Sequence, residues 1–173
     1  MKQAYEHRPV LKPVRSIPDY FLEAIALLGL LACWILPLIV FQKLPDTIPT
    51  HYGLNGQVDD WGSKWSIFIL PFINLFLFTG LRILSLYPNI YNYPVKVNEE
   101  NALDLYTKGS RLIRIINMII VLVFLFIEWQ ICHVTANTKL PSWFLPLVIV
   151  IPIVLPVTMA LALTKKSSSV KPS

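Results

Sequence analysis

Apolar positions gather into four blocks separated by polar stretches, at about residues 20–41, 65–84, 112–132 and 143–164. Each block holds about 20 to 22 residues, or roughly 30 to 33 Å at the α-helical rise, which matches the hydrocarbon core of a bilayer. Lipid offers the backbone no hydrogen bonds, so each block is expected to be a helix that satisfies its own N–H and C=O groups. The first block exceeds the apolar core of a signal peptide, and no small-x-small cleavage site follows it, so it reads as a retained span. The pattern predicts an all-α membrane protein, a four-transmembrane-helix bundle over residues 20–164. Short tails, 1–19 and 165–173, flank it.

Two of the polar stretches carry structure of their own. The first, residues 44–64, is dense in turn formers, and Asn55-Gly56 suits a tight hairpin turn with positive φ. Thr47 to Tyr52 is expected to pair with residues 57–60 as a small β-hairpin packed on the bundle, with Ser63 capping the second span. The second stretch brackets Tyr87, Tyr91 and Tyr93 between Pro88 and Pro94. These tyrosines fit a membrane interface. Asn98 reads as a helix N-cap, with Glu99 and Glu100 in the first turn where the helix dipole favours them. That helix is expected to run into the third span, with Gly109 as a weak point. Pro37, Pro71, Pro146, Pro152 and Pro156 fall inside spans and shape them for packing.

Composition sharpens this picture. Of 173 residues, 55% are hydrophobic and 14% charged, against roughly 25% charged in soluble domains. Lys and Arg outnumber Asp and Glu by 15 to 10, yet no basic stripe interleaved with aromatics is present, so a nucleic-acid partner is not expected. The cations follow topology instead. Twelve lie in the two tails and the second loop with its flanks, and only Lys43, Lys64 and Lys139 lie in the other two loops. The positive-inside rule then places both termini in the cytoplasm. Cys33 and Cys132 fall at different depths of their spans, so no disulfide is expected.

Chemistry has few places to sit. His51, Asp59 and Asp60 bring imidazole and carboxylates together in the first outer loop, and Glu128 and His133 lie near the outer end of the third span. Glu128 and Cys132, four residues apart, share a helix face. A cation site from His51, Asp59 and Glu128 is one reading of these residue types. No ligand-spacing motif accompanies it, so no metal is assigned. The plainer reading has the loop residues satisfying backbone groups, while Glu128 reaches the interface or pairs with Lys64 or Lys139. Asn74 and Asn117 are polar positions within spans and are expected to bond across helices. No nucleophile elbow, His-Glu-x-x-His helix or phosphate loop occurs, so no catalytic residue or cofactor is assigned.

The outer loop also carries a resemblance. Pro49-Thr50-His51-Tyr52-Gly53, then Asn55-Gly56, Val58-Asp59 and Trp61-Gly62-Ser63-Lys64, resemble the signature of the bacterial membrane domain of unknown function 1648, the N-terminal domain of SdpI-like immunity proteins. Tyr93-Pro94-Val95-Lys96 with Asn98-Glu99-Glu100-Asn101 resembles the family's loop before its third helix, so the similarity spans about residues 21–126. SdpI-like proteins carry further spans after this domain, whereas this sequence holds four apolar blocks. The resemblance implies an immunity or sensing role at a bacterial plasma membrane, with the outer loop binding an extracellular peptide or toxin. The candidate binding residues are Pro49, His51, Gly53, Asn55, Gly56, Asp59, Trp61, Gly62, Ser63 and Lys64, with Glu128 and Asn117 as intramembrane polar positions. Lipid, that peptide and a second copy in a homo-oligomer are the expected partners. Two other readings stay open: a transporter component or metal-dependent membrane enzyme using His51, Asp59 and Glu128, and a structural or assembly subunit of a membrane complex.

Overall fold

The computed structural model describes residues 8–133 and 139–144, with positions 146, 150, 154 and 158 beyond them. Three helices and one hairpin follow in order: α1 (Ile17–Val40), β1 (Thr47–Tyr52), β2 (Val58–Ser63), α2 (Ile69–Leu84) and α3 (Ala102–Cys132). Among the described residues, three helical stretches are long and apolar enough to cross a membrane, Ile17–Lys43, Lys64–Leu84 and Ala102–Cys132. Most of the fourth predicted span, with Pro152 and Pro156, and the C-terminal tail lie outside the described residues.

The helices meet along narrow faces. In α1 the buried positions Ala26, Gly29, Leu30, Cys33 and Pro37 recur at helical spacing and are mostly small. Small residues let backbones approach, which is how helices associate where lipid removes the hydrophobic drive. A Cβ at Gly29 would lie 2.9 Å from Val121 Cγ1 of α3. Ala26, Leu30 and Val121 form the centre of this contact, with Phe78 of α2 packed against them. The other faces, including Leu28, Leu38, Phe72 and Phe76, are exposed, as lipid-facing surfaces are.

The hairpin agrees with the sequence pattern in β1, while β2 begins at Val58 and extends to Ser63, beyond the expected residue 60. The strands pair antiparallel with Thr47 opposite Ser63 and Tyr52 opposite Val58. In the connection only Gly56 takes positive φ, at 77°. Gly56 N–H donates to the Gly53 carbonyl at 2.8 Å, closing the turn. Ser63 Oγ accepts from Trp65 N–H and caps a 3₁₀ segment, Lys64–Phe68, that leads into α2.

The second linker corrects two expectations. The N-cap of α3 is Asn101, not Asn98. The two asparagines bond reciprocally, Asn98 N–H to Asn101 Oδ1 at 2.9 Å and Asn101 N–H to Asn98 Oδ1 at 3.0 Å, and this holds the lead-in turn. Tyr91 and Tyr93 are not simple interface anchors. Their rings stack on each other at 5.9 Å and cover Gly109, where a Cβ would meet Tyr93 Oη at 2.7 Å. Gly109 thus marks a close approach within an unbroken helix.

Candidate functional site

The hairpin has two unlike sides. Ile48 and Pro49 are buried, and Ile48 packs with Ile67 of the 3₁₀ segment before α2 and with Ile131 and Cys132 at the end of α3. A cavity of about 140 Å³ remains beneath the hairpin, lined by Ile48, Tyr52, Ile67, Leu70, Ile127 and Ile131 among others. The Tyr52 hydroxyl is buried with no hydrogen-bond partner among the described residues, and burial pushes its pKa up. Apolar burial of this kind fixes a two-stranded unit that would be marginal alone.

The other side faces outward. His51 Nδ1 lies 2.5 Å from Asp59 Oδ1, and both side chains are more than half exposed. Asp60 Oδ1 accepts from the Trp61 backbone N–H at 2.8 Å. Asn55 Oδ1 accepts from Gln57 N–H, and Asn55 Nδ2 donates to Gln57 Oε1, both at 3.0 Å. Gly62 faces Thr50 across the strands, where a Cβ would clash at 2.6 Å. Lys64 Nζ pairs with Asp46 at 3.0 Å. Leu54 at 92% and Trp61 at 46% are the large apolar residues left uncovered on the hairpin.

Of the sequence-derived candidates, His51 and Asp59 therefore come together, Gly53, Asn55 and Gly56 build the turn, and Gly62, Ser63 and Lys64 shape the exit strand. Pro49 faces the bundle rather than the surface. Glu128 does not join His51 and Asp59, and the described residues hold no group of three metal-ligating side chains. Nor does Glu128 reach the interface or pair with Lys64 or Lys139: it is fully buried, and both carboxylate oxygens lack a hydrogen-bond partner among the described residues. Asn117 bonds across helices as expected, Nδ2 donating to the Phe78 carbonyl at 3.2 Å. Asn74 is fully buried and interacts across helices with the Cys33 thiol of α1.

The opposite end of the bundle holds a cluster that sequence reasoning treated only as topology charge. Arg111 clamps Asp19 with two hydrogen bonds, of 2.9 and 3.0 Å, and adds Ser16 Oγ at 2.8 Å. Arg114 Nε donates to Glu23 Oε1 at 2.8 Å, while Arg82 and Arg15 approach the other Glu23 oxygen at 3.4 and 3.7 Å. Asp19 and Glu23 stand four residues apart at the start of an apolar helix, and that spacing is the available signal for an inward-facing pair. The cluster ties α1, α2 and α3 together.

The profile of the domain of unknown function DUF1648 matches residues 28–75. That segment runs from the middle of α1 through the hairpin into α2. An uncharacterized protein of Archaeoglobus fulgidus is 31% identical over 137 residues, covering 71% of this chain and 72% of its own length. No solved structure matches the chain.

Proposed function

The chain belongs to the DUF1648 family, and from that premise we propose that it is a cell-membrane binding protein whose hairpin recognises an extracellular peptide or toxin in an immunity or sensing role. One observation carries this reading. The hairpin is anchored by Ile48 and Pro49 on the helix ends, yet presents Leu54, Trp61 and the His51–Asp59 pair to solvent. A rigid scaffold holding an aromatic and polar surface clear of the bilayer is what recognition needs. On this reading residues 20–164 form one membrane domain, both termini are cytoplasmic, and the hairpin lies outside.

The test expresses the full chain in a host sensitive to membrane-active peptides and measures survival across a panel of them. We expect wild type to raise survival at least about tenfold against one peptide of the panel. A Leu54→Ser, Trp61→Ala double variant at equal membrane abundance is expected to lose that protection. Absence of protection across the panel, or protection indifferent to those changes, overturns the reading.

A further inference from the structure

We propose that the arginines gathered on Glu23, at the end of the bundle opposite the hairpin, bind one phosphate group, carried by an anionic lipid or free in solution. Glu23 is the common point. Arg114 Nε donates to its Oε1 at 2.8 Å. Arg82 Nη2 and Arg15 Nη1 both stand off its other oxygen, Oε2, at 3.4 and 3.7 Å. Those two contacts are ion pairs rather than hydrogen bonds. Arg82 Nη1 is buried and has no hydrogen-bond partner among the described residues, and the same holds for Nη1 and Nη2 of Arg114, whose side chain is 2% exposed. A buried donor without an acceptor leaves its desolvation uncompensated, so such groups point to a missing partner.

Charge sets the class of that partner. Arg15, Arg82, Arg111 and Arg114 face only Asp19 and Glu23 in this network, which leaves a surplus of two positive charges. The two carboxylates repel an incoming anion, but the four guanidinium groups outweigh them. Arginine presents its N–H donors as a planar fork that matches phosphate oxygens. Glu23 Oε2 is a single oxygen between two such forks. A phosphate brings several free oxygens, so it satisfies Arg15 and Arg82 while Glu23 keeps Arg114.

Position agrees with charge. Arg82 stands in the last turn of α2, and Arg15 immediately precedes Ser16, the N-cap of α1. The ends of membrane-spanning helices lie at the depth of the lipid headgroups, and basic pockets between such ends hold anionic ones. The side chains of Arg15 and Arg82 are partly exposed, so the site opens to the surface on their side, while Arg114 backs Glu23 from within. Lys108 makes the contrast. It pairs with Asp104 alone, one cation on one carboxylate, and leaves no surplus.

The experiment uses the full chain in a phosphate-free maltoside detergent. Thermal unfolding is followed with added phosphatidylglycerol, with inorganic phosphate, and with oleate as an anion that lacks phosphate, all at equal ionic strength. Phosphatidylglycerol or inorganic phosphate is expected to raise the midpoint by roughly 2–4 °C through mass action. A response to the lipid alone assigns a headgroup, and a response to inorganic phosphate assigns a free anion. The Arg15→Gln, Arg82→Gln double variant is expected to weaken the apparent affinity at least about tenfold, and Lys108→Gln to leave it unchanged. Native mass spectrometry of wild type, reading retained phosphatidylglycerol or phosphate, needs no variant to fold. Neither a shift nor retention with either ligand would overturn the proposal. So would an equal response to oleate, a response that persists in the double variant, or one that Lys108→Gln reduces as much.

Discussion

The Leu140 amide donates to the Gly56 carbonyl at 2.8 Å, so the tip of the hairpin is bonded to the chain beyond α3. Gly56 sits there at φ 77°, and a Cβ would lie 2.7 Å from the Leu140 carbonyl oxygen. Glycine answers both demands at once, positive φ and close backbone approach. Gly56→Ala is therefore expected to destabilise the hairpin by roughly 1 to 3 kcal/mol. Hydrogen exchange at the Leu140 amide should accelerate in that variant; unchanged protection would show that the contact does not depend on glycine.

Gly29 of α1 lies close against Val121 of α3, where a Cβ would sit 2.9 Å from Val121 Cγ1. Gly29→Ala places a methyl against a fully buried valine, which is expected to cost roughly 1 to 2 kcal/mol. Val121→Ala alone opens a cavity and costs a similar amount. Together the two should cost clearly less than their sum, because the new methyl fills the space that the valine vacates. Additive losses in unfolding free energy would mean that the helices do not meet at these residues.

Asp19 is 1% exposed, and Arg111, which clamps it, is 37% exposed. Arg114 approaches the same carboxylate at 3.6 Å. A double-mutant cycle on Asp19→Asn and Arg111→Leu should return a coupling of roughly 1 to 2 kcal/mol, held down by the water around Arg111. Arg111→Leu alone is expected to be the milder change, since Arg114 still faces Asp19. A coupling near zero would reduce the cluster to topology charge.

Sequence reasoning reached the parts of this protein whose signal is local. Apolar length gave three described spans, and turn chemistry at Asn55-Gly56 gave a hairpin whose first strand matches residue for residue. Contacts between distant segments were not legible. Asp19 and Arg111 are 92 positions apart, and nothing local says that their helices touch. Its place in the third span marks Glu128 as an intramembrane polar position, and the structure buries it fully; the alternative, that it reaches the interface or pairs with Lys64 or Lys139, fails because a lone carboxylate carries no signal of which helix face packs inward. The N-cap of α3 slipped from Asn98 to Asn101 because two asparagines three residues apart offer the same capping chemistry, and their reciprocal bonds use both.

Tyr91 supplies a pH test outside the spans. Its hydroxyl donates to the Leu84 carbonyl at 2.8 Å, and Arg8 Nη1 donates to the Tyr91 carbonyl at 2.7 Å. Burial pushes the phenol up from 10.0 to about 12, with Arg114 pulling modestly the other way. Burial raises neighbouring Tyr93 as well. Below the ordinary value both folded and unfolded chains keep the proton, so stability there is unaffected. Between pH 10 and about 12 the unfolded chain releases a proton that the fold retains, so stability falls as pH rises through that window. Phenolate absorbance in the folded protein should therefore show a component near pH 12 that disappears in Tyr91→Phe. Alkaline unfolding should begin above pH 10 and be displaced in the variant. A Tyr91 phenolate forming at its ordinary pH in the folded protein would mean that the tyrosine cover over Gly109 is open to water.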